Sequence, residues 1–100
     1  METTSATGLI FDVTTADFAQ QVIERSHELP ILVDFWAPWC GPCTAMAPQF
    51  TAAASTLAGH ARLVKLNADH SQMVSTLGVS GIPALILFRD GRIIVHRREG

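Results

Sequence analysis

The chain has 100 residues, of which 48% are apolar and 16% charged, with a net charge of −2 and a sequence pI of about 6.0. That is enough apolar material for one core and too little chain for a second domain. The slightly acidic balance leaves no basic field to hold nucleic acid or an anionic bilayer, and no apolar run approaches the ~18–20 residues that cross one.

The segment 1–7 is polar and lacks both the basic start and the apolar stretch of a secretory signal. It reads as a flexible N-terminal tail on a cytoplasmic protein whose single domain occupies 8–100. Leu9, Ile10 and Phe11 form a short strand. Thr14 and Asp17 have the spacing of a helix-opening pair, ahead of a helix that turns Phe18 and Val22 inward. The run Ile31-Leu32-Val33-Asp34-Phe35-Trp36 is almost continuously apolar, which predicts a central strand covered on both faces.

A helix over about 40–58 follows. Cys43, Met46, Phe50, Ala53 and Leu57 step by three and four and define its buried stripe, and Pro48 removes one of its internal hydrogen bonds. Ala61 to Leu66 is the next buried strand. A short helix around His70 to Leu77 then ends at Gly78, a natural left-handed cap. Finally Ala84 to Phe88 and Ile93 to His96 flank Arg89-Asp90-Gly91-Arg92, whose Asp-Gly pair signals a hairpin. The β-α-β-α order demands parallel pairing and the hairpin antiparallel pairing, so the fold class is α/β, a mixed central sheet flanked by helices.

The two cysteines, Cys40 and Cys43, lie in Trp39-Cys40-Gly41-Pro42-Cys43 at the start of the second helix. Residues three apart on a helix have Cβ atoms about 5–6 Å apart, a spacing that lets one disulfide open and close with little backbone movement. Cys43 belongs to the apolar stripe. Cys40 falls one turn earlier, where free N–H groups and the helix dipole favour an anion, so Cys40 is the accessible nucleophile and Cys43 the shielded resolving thiol. A zinc half-site is the competing reading. It lacks a second cysteine pair, and His27, His60, His70 and His96 have no ligand-like spacing, so no metal is expected. A purely structural bridge is disfavoured, because a two-residue gap restrains little unfolded-chain entropy.

Asp34 is the one charged residue in the most apolar strand. Burial raises the pKa of a carboxyl, and next to CxxC such a group is suited to accepting and returning a proton. Lys65 shares an alternating face with Ala61 and Leu63. It is either a partner for Asp34 or an exposed lysine near a strand end. Ile82-Pro83 precedes a strand, and composition leaves its isomer open.

The run Val33-Asp34-Phe35-Trp36-Ala37-Pro38-Trp39-Cys40-Gly41-Pro42-Cys43, together with Ala47-Pro48, Lys65-Leu66-Asn67 and Gly81-Ile82-Pro83, resembles the thioredoxin family from about Leu9 to Gly91. The resemblance implies a thioredoxin fold and a general protein-disulfide reductase, with a redox-active Cys40–Cys43 disulfide and no bound cofactor. It further implies a cis Pro83 facing the disulfide. Trp39, Gly41, Pro42, Gly81, Ile82 and Pro83 would dock substrate, and Asp34 and Lys65 would move protons to and from Cys43. Implied partners are substrate proteins with disulfides and an NADPH-dependent thioredoxin reductase. An oxidase or isomerase is the enzymatic alternative, and a docking or holdase module with little turnover the non-enzymatic one.

Several positions depart from the family pattern. Thr44 stands where a basic residue is common, Leu77 where an aromatic one is, and the segment His96-Arg97-Arg98-Glu99-Gly100 is one residue long before its glycine, so no docking role passes to Gly100. The family's last helix is absent. Burying four or five large apolar side chains contributes on the order of 6–15 kcal/mol, against a whole margin of about 5–15 kcal/mol for a small domain. The expectation is therefore a shortened chain or a domain of a longer one. It is a monomer, or a dimer if an apolar face is left bare.

Overall fold

The computed structural model describes residues 3–4, 10–70 and 72–98. Among these residues six strands form one mixed sheet: β1 (Thr3–Thr4), β2 (Ile10–Val13), β3 (Ile31–Trp36), β4 (Arg62–Asn67), β5 (Ala84–Arg89) and β6 (Arg92–Arg98), in the spatial order β1-β2-β4-β3-β5-β6. The pairs β2–β4 and β3–β4 are parallel, and the pairs β1–β2, β3–β5 and β5–β6 antiparallel. The apolar run at 31–36 is thus a central strand with partners on both sides. Of the segment 1–7, only Thr3 and Thr4 are described, and they pair with Asp12 and Phe11. Leu9 and Gly100, named in the sequence reading, lie outside the described residues.

Side chains alternate across a strand, and both faces of β3 carry apolar groups. Ile31, Val33 and Phe35 enter the larger core with Val64, Leu66, Ile86, Phe88, Phe18 and Val22. Phe18 meets Phe88 edge to face, ring centroids 5.7 Å apart. On the opposite face, Leu32 packs on a smaller cluster of Ile10, Phe50, Ala54 and Leu63. Phe50 and Ala54 belong to helix α1 (Gly41–Leu57), which runs unbroken past Pro48. Its buried positions are Cys43, Phe50 and Ala54, whereas Met46 and Ala53 are half-buried and Leu57 is exposed. The inward stripe is thus narrower than the spacing predicts, because only the flank above Ile10 and Leu63 meets the sheet, while Met46 and Ala53 line an open groove.

The Thr14–Asp17 pair forms as read: the Asp17 carboxylate accepts hydrogen bonds from the Thr14 backbone N–H at 2.6 Å and from its hydroxyl at 3.0 Å. The following turns are π-helical over Ala19–Glu24 and 3-10 over Arg25–His27. After β4 a 3-10 turn (Ala68–His70) precedes the short helix α2 (Met73–Thr76), and Gly78 adopts φ 73°. Between β5 and β6, Asp90 (φ 56°) and Gly91 (φ 75°) make the two-residue left-handed turn that suits a right-twisted hairpin. Buried Ser26 fastens this turn. Its hydroxyl accepts from the Gly91 N–H at 2.8 Å, and its carbonyl accepts from the Asp90 N–H at 2.8 Å and from Arg89 Nη1 at 3.3 Å. Among the described residues no helix is long and apolar enough to cross a membrane.

Candidate active site

The central strand β3 ends at Trp36, and after four connecting residues the chain enters α1 at Gly41. Ala37, fully buried, makes the corner: its carbonyl accepts from the Cys40 N–H at 3.1 Å. Cys40 keeps an extended backbone (φ −88°, ψ 107°) and caps the helix. Its Sγ accepts a hydrogen bond from the Cys43 N–H at 3.2 Å, satisfying one of the donors that a helix start leaves free. Pro42, in the first turn, has no N–H to leave unpaired.

Cys40 and Cys43 form a disulfide with Cα atoms 5.3 Å apart. In this state the two residues are equally covered, 4% and 5% exposed. The sequence reading placed an accessible sulfur at Cys40 and a shielded one at Cys43; exposure does not separate them here. A short covalent bridge holds both against Ala37, Trp36 and Ile82. What distinguishes Cys40 is the cap hydrogen bond.

The Ile82–Pro83 peptide is cis, as the resemblance implies. Ile82 packs on the cysteine cluster, while Pro83 and Pro42 line one groove of about 520 Å³ that runs past Met46 toward Leu32 and Leu85. Gly81 is half-buried, and Gly41 and Pro42 are exposed. Trp39 stands 70% exposed.

Asp34 is buried on the sheet face that carries α1, and among the described residues its Oδ1 has no hydrogen-bond partner. Burial pushes its pKa up from 3.8 to about 6, against the opposing pull of the Lys65 ammonium. Asp34 and Lys65 are register partners on β3 and β4. The Lys65 Nζ itself sits 4.4 Å from the centre of the Trp36 ring, a cation–π contact. The lysine is half-buried, with its ammonium over the Trp36 ring and its charge acting on the Asp34 carboxyl. The arrangement holds a dithiol/disulfide switch at a helix start, a carboxyl that titrates near neutrality, and an apolar surface on either side.

Asp69 is the residue that sequence reasoning missed. Both of its carboxylate oxygens lie 2.9 Å from Trp39 Nε1, across thirty positions of chain. The pattern Asn67-Ala68-Asp69 after a strand signals an Asx turn, but nothing local links it to Trp39.

The family model described as Thioredoxin matches residues 9–100. Similar curated proteins include Thioredoxin 1 of Synechococcus elongatus, 46% identical over 81 residues, which are 80% of this chain and 74% of the relative. Thioredoxin of Haemophilus influenzae is 40% identical over 86 residues, 85% and 78% of the two chains. Thioredoxin of Pseudomonas aeruginosa is 44% identical over 85 residues, 84% and 77%.

Proposed function

The chain belongs to the thioredoxin family of thiol-disulfide oxidoreductases, and on that footing we propose that it is a general protein-disulfide reductase in which Cys40 attacks and Cys43 resolves. In the reduced protein the Cys40 thiolate attacks one sulfur of a substrate disulfide. The substrate S–S bond breaks, its other sulfur leaves as a thiolate, and a mixed disulfide joins Cys40 to the substrate. Cys43 then gives its proton to Asp34 and attacks the Cys40 sulfur. The bond between Cys40 and the substrate breaks, the second substrate sulfur leaves as a thiolate, the two substrate sulfurs take up one proton from Asp34 and one from water, and the enzyme is left as the disulfide.

The observation that carries this reading is the Cys43 N–H aimed at Cys40 Sγ. A donor already in place at a helix start stabilises charge on that sulfur. Asp34, with a pKa of about 6, is matched to taking a proton near neutral pH. Lys65, close by on β4, tunes that carboxyl. Trp39, Gly41, Pro42, Gly81, Ile82 and Pro83 form the docking surface, and the backbone beside cis Pro83 offers a strand-like contact that tolerates varied sequences. The proposal includes a cytoplasmic monomer whose domain covers 8–100, with no cofactor beyond the disulfide, recharged by an NADPH-dependent thioredoxin reductase.

The test is a trap. Cys43→Ser cannot resolve, so it accumulates mixed disulfides through Cys40 that a reductant releases. Absence of such adducts, with no turnover of a protein disulfide by the wild type, refutes the reading.

A further inference from the structure

We infer that Asp69 is a positioning residue for the docking tryptophan: it fixes the Trp39 indole in solvent beside the disulfide, as a preset platform for an apolar stretch of the substrate chain. The inference rests on the docking role proposed for Trp39. An indole left 70% exposed forgoes most of the gain that burial of such a ring brings. Untethered, it would also sample several rotamers. Here both Asp69 oxygens lie 2.9 Å from its N–H, a charge-assisted bond.

The carboxylate is itself held. The Asp69 backbone N–H donates to Asn67 Oδ1 at 2.9 Å, in a turn that begins on the last residue of β4. Constraint therefore passes from the sheet through Asn67 and Asp69 to Trp39, and none of these side chains is bonded to sulfur. A ring already held in its docking pose does not have to be ordered when substrate arrives, which lowers the cost of binding and leaves the chemical step alone. The role thus belongs to substrate capture.

The experiment mixes pre-reduced protein with excess disulfide-linked peptide and reads the half-saturating concentration and the limiting rate. It also follows the Trp39 indole N–H by nitrogen-15 NMR, with the Trp36 indole as internal reference for an intact fold. Asp69→Ala is expected to raise half-saturation about three- to tenfold, to change the limiting rate less than twofold, and to speed exchange of the Trp39 indole proton with water. Asp69→Asn keeps an acceptor oxygen and is expected to restore both readouts. In a Trp39→Phe background, which has no indole N–H, Asp69→Ala is expected to add nothing. The inference is overturned if Asp69→Ala leaves half-saturation or the indole signal unchanged, if Asp69→Asn behaves like Asp69→Ala, or if the effect persists without the indole. A wild type that does not reduce the peptide sinks the reductase reading instead, and the indole exchange then decides the tether by itself.

Discussion

At pH 8 the Asp34→Asn variant is expected to be more stable than the wild type by up to about 3 kcal/mol. Asp34 is buried, one carboxyl oxygen has no partner among the described residues, and its pKa rises from 3.8 to about 6. At 1.36 kcal/mol per pH unit that difference amounts to about 3 kcal/mol. The sign follows from which state holds the proton. Between about pH 4 and pH 6 the folded protein keeps it while the unfolded chain has lost it, so stability falls as pH rises through this window and is level above it. Asparagine carries no proton to lose. The advantage of the variant therefore grows from pH 4 to pH 7, and what remains at pH 4 is the cost or gain of exchanging an acid for an amide. For a domain of this size the full difference corresponds to roughly 12–24 °C in melting temperature. Urea unfolding of the oxidised proteins, followed by circular dichroism at half-unit steps from pH 4 to pH 8, measures it. A stability difference that is the same at both ends would refute the burial argument. If Asp34 is also the proton acceptor for Cys43, the same variant resolves mixed disulfides on the order of 10–100-fold more slowly at pH 7, so the stabilising change is at the same time a disabling one.

Three further substitutions probe the frame around the site. Gly91→Ala places a Cβ 3.2 Å from His27 Nε2 at a residue with φ 75°, and is expected to cost about 1–2 kcal/mol in thermal or urea unfolding; Gly41→Ala, whose Cβ meets nothing within 4 Å, stays within about 0.5 kcal/mol. Phe18→Ala removes a fully buried ring and its edge-to-face partner contact with Phe88, with an expected loss of about 3–5 kcal/mol in the same unfolding assay.

Most of the fold was legible because its signals are local. A run apolar but for Asp34 makes β3, an Asp-Gly pair makes the β5–β6 turn, and a carboxylate three residues after Thr14 opens a helix, all within reach of a few neighbouring residues. The inward face of α1 was less legible. Helical spacing marks which positions share a side but not how wide a strip the sheet covers, so Ala54 is buried while Leu57 is exposed. The π-helical winding of Ala19–Glu24 has no signature in its composition. At the site, the type and spacing of Cys40, Cys43 and Asp34 announced their chemistry. The equal covering of the two cysteines depends on what Trp36, Ala37 and Ile82 bring to them. The Asp69–Trp39 bond joins two loops that meet only once the sheet has formed.

The clasp at Ser26 ties the order of synthesis to the moment of folding. Its partners lie 63 to 65 positions further along the chain, and the strand that seats beside β3 on its antiparallel side is β5. A nascent chain that has released its redox motif from the ribosome still lacks the strand that completes the sheet around that motif. Pairing across so long a separation forms more slowly than local structure does. The cysteines therefore meet the cell's thiols as part of an open polypeptide before they do so as an enzyme.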